Sequence, residues 1–276
     1  MDFEALITEA YLQTRSLLCV GLDLADHLIP PGYSKEEYLE KIIESTKNHA
    51  IAYKPNLSCY IEDIELLKKA CRMAHEYGRV VIIDSKVNDV GHTAFYYAID
   101  YLEKIGADAC TVNPLPFLDD MIGASRPYLE KGKGIFVLLY TTSPHSQMFW
   151  ENCYIKGLPL WKFIALKVAC DWSQGLVGAY YSRVGIVAAP RREELAKEIR
   201  EICDTQIILA PGFGVQGVSL TILKYLKKKD APFPGIIGNV GRSIIAKWKD
   251  YPGEDPIKIV EREAEKWKKD MIEALK

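Results

Sequence analysis

Short apolar runs alternate with amphipathic stretches from one end of the chain to the other. Eight of the runs predict strands: SLLCVGLD at 16–23, AIAYKP at 50–55, RVVIID at 79–84, DACTVNP at 108–114, GIFVLLY at 134–140, RVGIVAA at 183–189, QIILAP at 206–211 and GIIGNVG at 235–241. Strands that alternate with helical patterns point to a parallel sheet, and eight of them are the count of a (β/α)₈ TIM barrel. The stretch 62–78, EDIELLKKACRMAHEYG, places Ile64, Leu67, Ala70, Cys71 and Ala74 three and four residues apart, with Glu65, Lys68, Lys69 and Arg72 facing away. That spacing predicts an amphipathic helix stopped by Gly78. A last amphipathic segment, 256–275, is expected to dock on the outside of the barrel. The stretch 141–157, TTSPHSQMFWENCYIKG, shows no period and is expected to be an irregular lid or binding loop.

No Pro/Gly/Ser-rich linker divides the chain, so residues 1–276 are expected to form a single α/β domain, a length that α/β barrels of about 250 residues make ordinary. The composition, 49% hydrophobic and 26% charged, is that of a globular protein with a large core and excludes disordered and collagen-like classes. A net charge of -2 offers no field to attract nucleic acid or an anionic membrane. The first residues read as neither signal peptide nor transit peptide, and no run approaches the roughly 20 apolar residues of a membrane span. Seven cysteines, at 19, 59, 71, 110, 153, 170 and 203, form no CxxC pair. Buried thiols in a reducing cytoplasm are the expectation, with no disulfide frame and no zinc site.

Charge at the strand ends changes the picture from fold to chemistry. In this barrel the C-terminal ends of the strands share one face, and their side chains converge on one pocket. The first strand ends in Asp23, the second in Lys54, and the third in Asp84, followed by Lys86 and Asp89. The fourth ends in Asn113, and the fifth runs into Thr141, Thr142 and Ser143. Opposite charges about 4 Å apart gain roughly 4 kcal/mol at an effective dielectric of 20, so Lys54, Asp84, Lys86 and Asp89 are expected to alternate in sign as one chain. Flanking carboxylates would hold Lys86 protonated, as a fixed cation and a proton donor. An ion network that merely closes one end of the barrel is the alternative, although buried ion networks add little stability over apolar packing. The five histidines show no metal-ligand spacing.

The opposite side of the same face carries glycine. APGFGVQG at 210–217 follows the seventh strand and GNVGRSI at 238–244 follows the eighth. Gly212, Gly214 and Gly217 let the backbone approach a ligand closely, and Gly241 with Arg242 adds a guanidinium. The loops after strands seven and eight are where this fold commonly binds phosphate. A phosphorylated small molecule is the implied ligand.

With these motifs in place the sequence resembles the orotidine 5'-monophosphate decarboxylase family, in the longer branch found in many bacteria and archaea. The resemblance runs in order through LCVGLD (18–23), YKPN (53–56), DSKVNDVGHTA (84–94), TVNP (111–114), FVLLYTTSP (136–144), APGFGVQG (210–217) and NVGRSI (239–244). It implies a cytoplasmic enzyme that converts orotidine 5'-monophosphate (OMP) to uridine 5'-monophosphate (UMP) and carbon dioxide in pyrimidine biosynthesis. No metal or organic cofactor is implied. The implied catalytic set is Lys86, Asp84, Lys54 and Asp89, with Lys86 protonating C6 of the pyrimidine and Asp84 beside the substrate carboxylate. Asp23 and Lys54 would contact the ribose, whereas Asp89 and Thr93 would reach the ribose of the partner's site in a homodimer. Gln216 would link phosphate and base, and Arg242 with the Gly241 amide would grip the phosphate. Where the family usually has a TSNP-like run, this chain has Thr141-Thr142-Ser143-Pro144, leaving Thr142 and Ser143 to meet the base edge. AAPRRE, at 188–193, also departs from the family's usual VGAT-like run. A metal-dependent sugar-phosphate enzyme of the same superfamily and a non-catalytic nucleotide-phosphate binder are the competing readings.

Overall fold

The computed structural model describes residues 2–116 and 118–276. Eight parallel strands close into a barrel: β1 (Leu18–Leu22), β2 (Ala52–Pro55), β3 (Val80–Val87), β4 (Ala109–Val112), β5 (Gly134–Tyr140), β6 (Ser182–Ala188), β7 (Gln206–Pro211) and β8 (Ile236–Val240). Closure is made by β1 against β8, with Leu18 opposite Gly238 and Val20 opposite Val240. Every residue of β1 and β2 is buried, because each strand packs against helices on one side and the barrel interior on the other. That double burial is why the strands read as dense apolar runs.

The helix Phe3–Thr14 closes the end opposite the strand tips. Phe3 meets Phe136 edge-on at 5.6 Å between ring centroids, and the buried Glu4 carboxylate accepts the Tyr180 and Tyr181 amides at 2.6 and 3.1 Å. Pro256–Glu273 docks outside as expected, with Met271 seated on the bare backbone of Gly238. A methyl group there would fall 2.7 Å from the Met271 terminal carbon, so glycine is needed for the close approach.

Four expectations need correction. Ile64–Glu76 is a helix followed by Gly78 at φ +66°, but its core face carries Leu66, 4% exposed, while Ile64 is 37% exposed. Ile64 occupies the first turn, where the chain enters from the surface. The stretch 141–157 is not irregular: it holds the helix Pro144–Asn152, and Tyr154–Ile155 pairs with Leu158–Pro159 as a small hairpin. Its apolar residues Met148, Phe149 and Trp150 are consecutive, so only Trp150 turns inward and no helical period shows. The seven cysteines are free, but Cys170 is exposed and Cys59 and Cys153 are half-buried. Finally, β3 continues past Asp84 to Val87.

Candidate functional site

The extension of β3 makes the site. Ile83 lies opposite Cys110 of β4, but the next register pair is Val87 with Val112, so Asp84, Ser85 and Lys86 bulge where β4 offers Thr111 alone. Lys86 sits in the left-handed region at φ +48°, a conformation that costs a residue with a side chain about 1–2 kcal/mol. Such strain persists only where surrounding bonds fix it, and it concentrates at functional positions.

The bulge turns Asp84 toward both lysines. One carboxylate oxygen pairs with the Lys54 ammonium and the other with that of Lys86. Burial alone would raise the Asp84 pKa, yet Lys54 and Lys86 outweigh it and hold the carboxyl well below the usual carboxylate range. Burial likewise opposes the charge on Lys54, but Asp84 and Asp23 raise its pKa above the ordinary lysine value. Lys54 is almost fully enclosed, whereas the Lys86 side chain is 43% exposed and opens onto the cavity.

That cavity, of about 250 Å³, is lined at this end by Asp23, Lys54, Asp84, Lys86 and Thr111. Its wall is apolar, formed by Leu138, Val187 and Leu209. The far rim holds Gly212, Gln216, Gly241 and Arg242. Among the described residues Arg242 forms no ion pair, so its guanidinium is available to an anion. The tips of β1 and β8 come together so tightly that a Cβ on Gly21 would lie 2.9 Å from the Gly241 Cα. Gly212, at φ +100°, turns the chain so that Gln216 reaches back over the cavity. There the Thr142 hydroxyl donates to the Gln216 side-chain oxygen at 3.0 Å, and Arg191 donates to the Gln216 carbonyl at 2.7 Å.

Of the eleven residues to which the resemblance gives a catalytic or binding role, eight line one cavity: Asp23, Lys54, Asp84, Lys86, Thr142, Gln216, Gly241 and Arg242. Three do not. Ser143 precedes the helix Pro144–Asn152 as its N-cap. Asp89 accepts the amide of Val90 at 2.8 Å and has no ion pair with Lys86 among the described residues, so the charge chain ends at Lys86. Thr93 lies on the helix Gly91–Ala98, away from the cavity of its own chain. Conversely, Thr111, Asn239 and Arg191 were not singled out as site residues. Buried oxygens of Asp23 and Asn239 have no hydrogen-bond partner, which marks a place where a hydroxyl-bearing ligand would complete the bonding. Among the described residues no group of three or more His, Cys, Asp or Glu is clustered to hold a metal ion.

Residues 16–250 match the family model described as orotidine 5'-phosphate decarboxylase / HUMPS. An orotidine 5'-phosphate decarboxylase from Caldicellulosiruptor bescii is 30% identical over 92% of this chain and 93% of its own length. One from Christiangramia forsetii is 32% identical, with 87% of each chain covered. The solved structure of Leishmania donovani OMP decarboxylase superposes with a TM-score of 0.78 at 25% identity, covering 99% of this chain and 98% of that one.

Proposed function

The chain belongs to the orotidine 5'-phosphate decarboxylase / HUMPS family, and we propose the reading its pocket supports best, in which Lys86 is the proton donor of a decarboxylation. The enzyme is a carboxy-lyase that converts OMP to UMP and carbon dioxide. One observation carries the residue assignment: a carboxylate clamped between two lysines closes one end of a cavity whose other end presents an unpaired arginine among glycines.

When the bond from C6 to the carboxylate breaks, its electron pair stays on C6 in the plane of the ring. No adjacent carbonyl delocalises that pair, so stabilisation must come from charge already in place. The Lys86 ammonium supplies it, then gives C6 a proton and is reprotonated from solvent. Asp84 faces the departing carboxylate and fixes both ammonium groups. The apolar wall of Leu138, Val187 and Leu209 suits neutral carbon dioxide better than the anion it replaces. At the other end, Arg242 and the Gly241 amide hold the phosphate, Gln216 bridges phosphate and base, and Thr142 orients Gln216. Asp23 and Lys54 meet the ribose, and the unpartnered oxygens of Asp23 and Asn239 support a hydroxyl at that place.

Two copies complete the assembly in this reading. Asp89 and Thr93 face away from their own cavity on a segment whose Val90, Phe95 and Tyr96 are exposed, an apolar surface fit for a second copy. They reach the partner's ribose from there. The whole chain, 1–276, serves as one barrel domain of pyrimidine biosynthesis in the cytoplasm, where seven free thiols stay reduced. Among the described residues no helix is long and apolar enough to cross a membrane.

Purified, EDTA-treated protein incubated with OMP tests the reaction. Loss of the orotate absorbance with formation of UMP is the expected outcome. Activity that EDTA abolishes and Mg²⁺ restores would move the assignment to a metal-dependent sugar-phosphate enzyme, and bound UMP without turnover would leave only a binder.

Replacing Arg242 with alanine separates the two ends of the pocket. A charge-assisted contact to phosphate contributes about 1.5–3 kcal/mol, so affinity for UMP should fall on the order of 10- to 100-fold while that for uridine hardly moves. Equal weakening of both, measured by calorimetry, would place the phosphate elsewhere.

A further inference from the structure

We infer that Thr111 is a positioning residue for the reaction: its hydroxyl holds the β3 bulge in the one shape that aims Lys86 and divides Asp84 between the two lysines. The inference rests on the reading that Lys86 is the proton donor. Thr111 is 1% exposed and stands in an otherwise apolar strand. Its Oγ1 accepts the backbone amides of Ser85 and of Lys86, each at 3.0 Å, and donates to Oδ1 of Asp84 at 3.1 Å. A hydroxyl has one proton and two lone pairs, and here all three are used. The Ser85 hydroxyl returns the contact by donating to the Thr111 carbonyl at 2.9 Å.

These bonds replace the ladder that the bulge interrupts between Ile83 and Val87. The amides of Ser85 and Lys86 both point at this one oxygen, and the second belongs to the residue in the left-handed region. The hydroxyl also fixes the rotation of the Asp84 carboxylate, since Oδ1 takes both Thr111 and Lys86 while Oδ2 is left to Lys54. Removing the hydroxyl leaves two amides without a partner and the carboxylate held by the two lysines alone, with no bond to the backbone of the barrel. Relaxation of the bulge would move the Lys86 ammonium from C6 without touching the phosphate grip.

Thr111→Val keeps the shape and removes the hydroxyl, and Thr111→Ser keeps the hydroxyl and removes a methyl. With Thr111→Val, kcat for OMP should fall about 100-fold or more, since a displacement of the order of 1 Å can cost that much, while UMP affinity stays within about threefold. Thr111→Ser should restore kcat to within about fivefold of the parent enzyme. A merely structural role would lower the unfolding midpoint in both variants and spare kcat in the folded fraction. Should Thr111→Val fail to fold, Thr111→Cys replaces it, because a thiol is a weak donor and acceptor and should lose kcat in the same way. The inference is overturned if the folded valine or cysteine variant turns over OMP within a few fold of the parent, or if serine is as impaired as valine. Lys86→Ala is assayed in parallel. If it stays active, the proton-donor reading fails; if it is inactive while Thr111→Val is normal, only the role of Thr111 fails.

Discussion

Lys86→Ala should abolish turnover of OMP and leave UMP binding, since Lys86 is the proposed proton donor. The expected loss in kcat is on the order of 10⁴-fold or more, because one side chain supplies both the preorganised cation beside C6 and the proton that reaches it. Either contribution alone is typically on the order of 10²-fold or greater. UMP carries no carboxylate and forms no carbanion, so its binding depends on the other end of the cavity, where Gln216, Gly241 and Arg242 lie. Affinity for UMP should change by less than about tenfold, and it could rise, since the ammonium no longer has to be desolvated next to neutral C6. Single-turnover absorbance with OMP and calorimetry with UMP measure the two quantities. Substantial retained turnover would remove Lys86 from the proton-donor role. Loss of UMP binding in a folded variant would show that the lysine holds the nucleotide rather than the reacting atom.

The strands were legible because parallel strands buried on both faces carry unbroken apolar runs, and charge stands out at the ends of such runs. Asp23, Lys54, Asp84 and Lys86 could be collected that way with no knowledge of distances. What the pattern hides is backbone that leaves the ladder. Asp84-Ser85-Lys86 looks like a loop beyond a strand, because three polar residues in a row fit no pleat. In the structure they continue β3: Asp84 bridges Asn56 on one side, and Thr111 bonds the amides of Ser85 and Lys86 from the other. Thr111 carries no such mark, since one hydroxyl among Ala109, Cys110 and Val112 reads as packing. Asn239 is hidden for the same reason, being a single amide in the apolar run of β8. Arg191 falls in the stretch that departs from the family pattern. Its contact is to a backbone carbonyl, which no side-chain pattern can announce. The helix Pro144–Asn152 escaped because its adjacent apolar residues fit neither a helical stripe nor a strand.

Asp89 and Thr93 are where the reading of one chain stops, and mixing two dead variants takes it further. In Lys86→Ala every site lacks its proton donor, and in Asp89→Ala every site lacks a carboxylate at the ribose, so each homodimer alone should be inactive. If Asp89 acts on its own chain's site, a mixed dimer has one defect in each site and stays inactive. If it crosses the interface, both defects fall in one site of the mixed dimer, and the other site has an intact Lys86 and an intact Asp89 from the partner. Random equimolar mixing makes half the dimers mixed with one working site each, so recovery should reach about a quarter of the parent activity. Two observations motivate the crossing arm: the Asp89 carboxylate caps the Val90 amide instead of pairing with Lys86, and Val90, Phe95 and Tyr96, which follow it in the chain, are exposed apolar residues. Exchange of differently tagged subunits, verified by tandem purification before the assay, makes the answer two-sided. Recovery near a quarter assigns Asp89 to the partner's site, and a purified mixed dimer without activity returns it to its own.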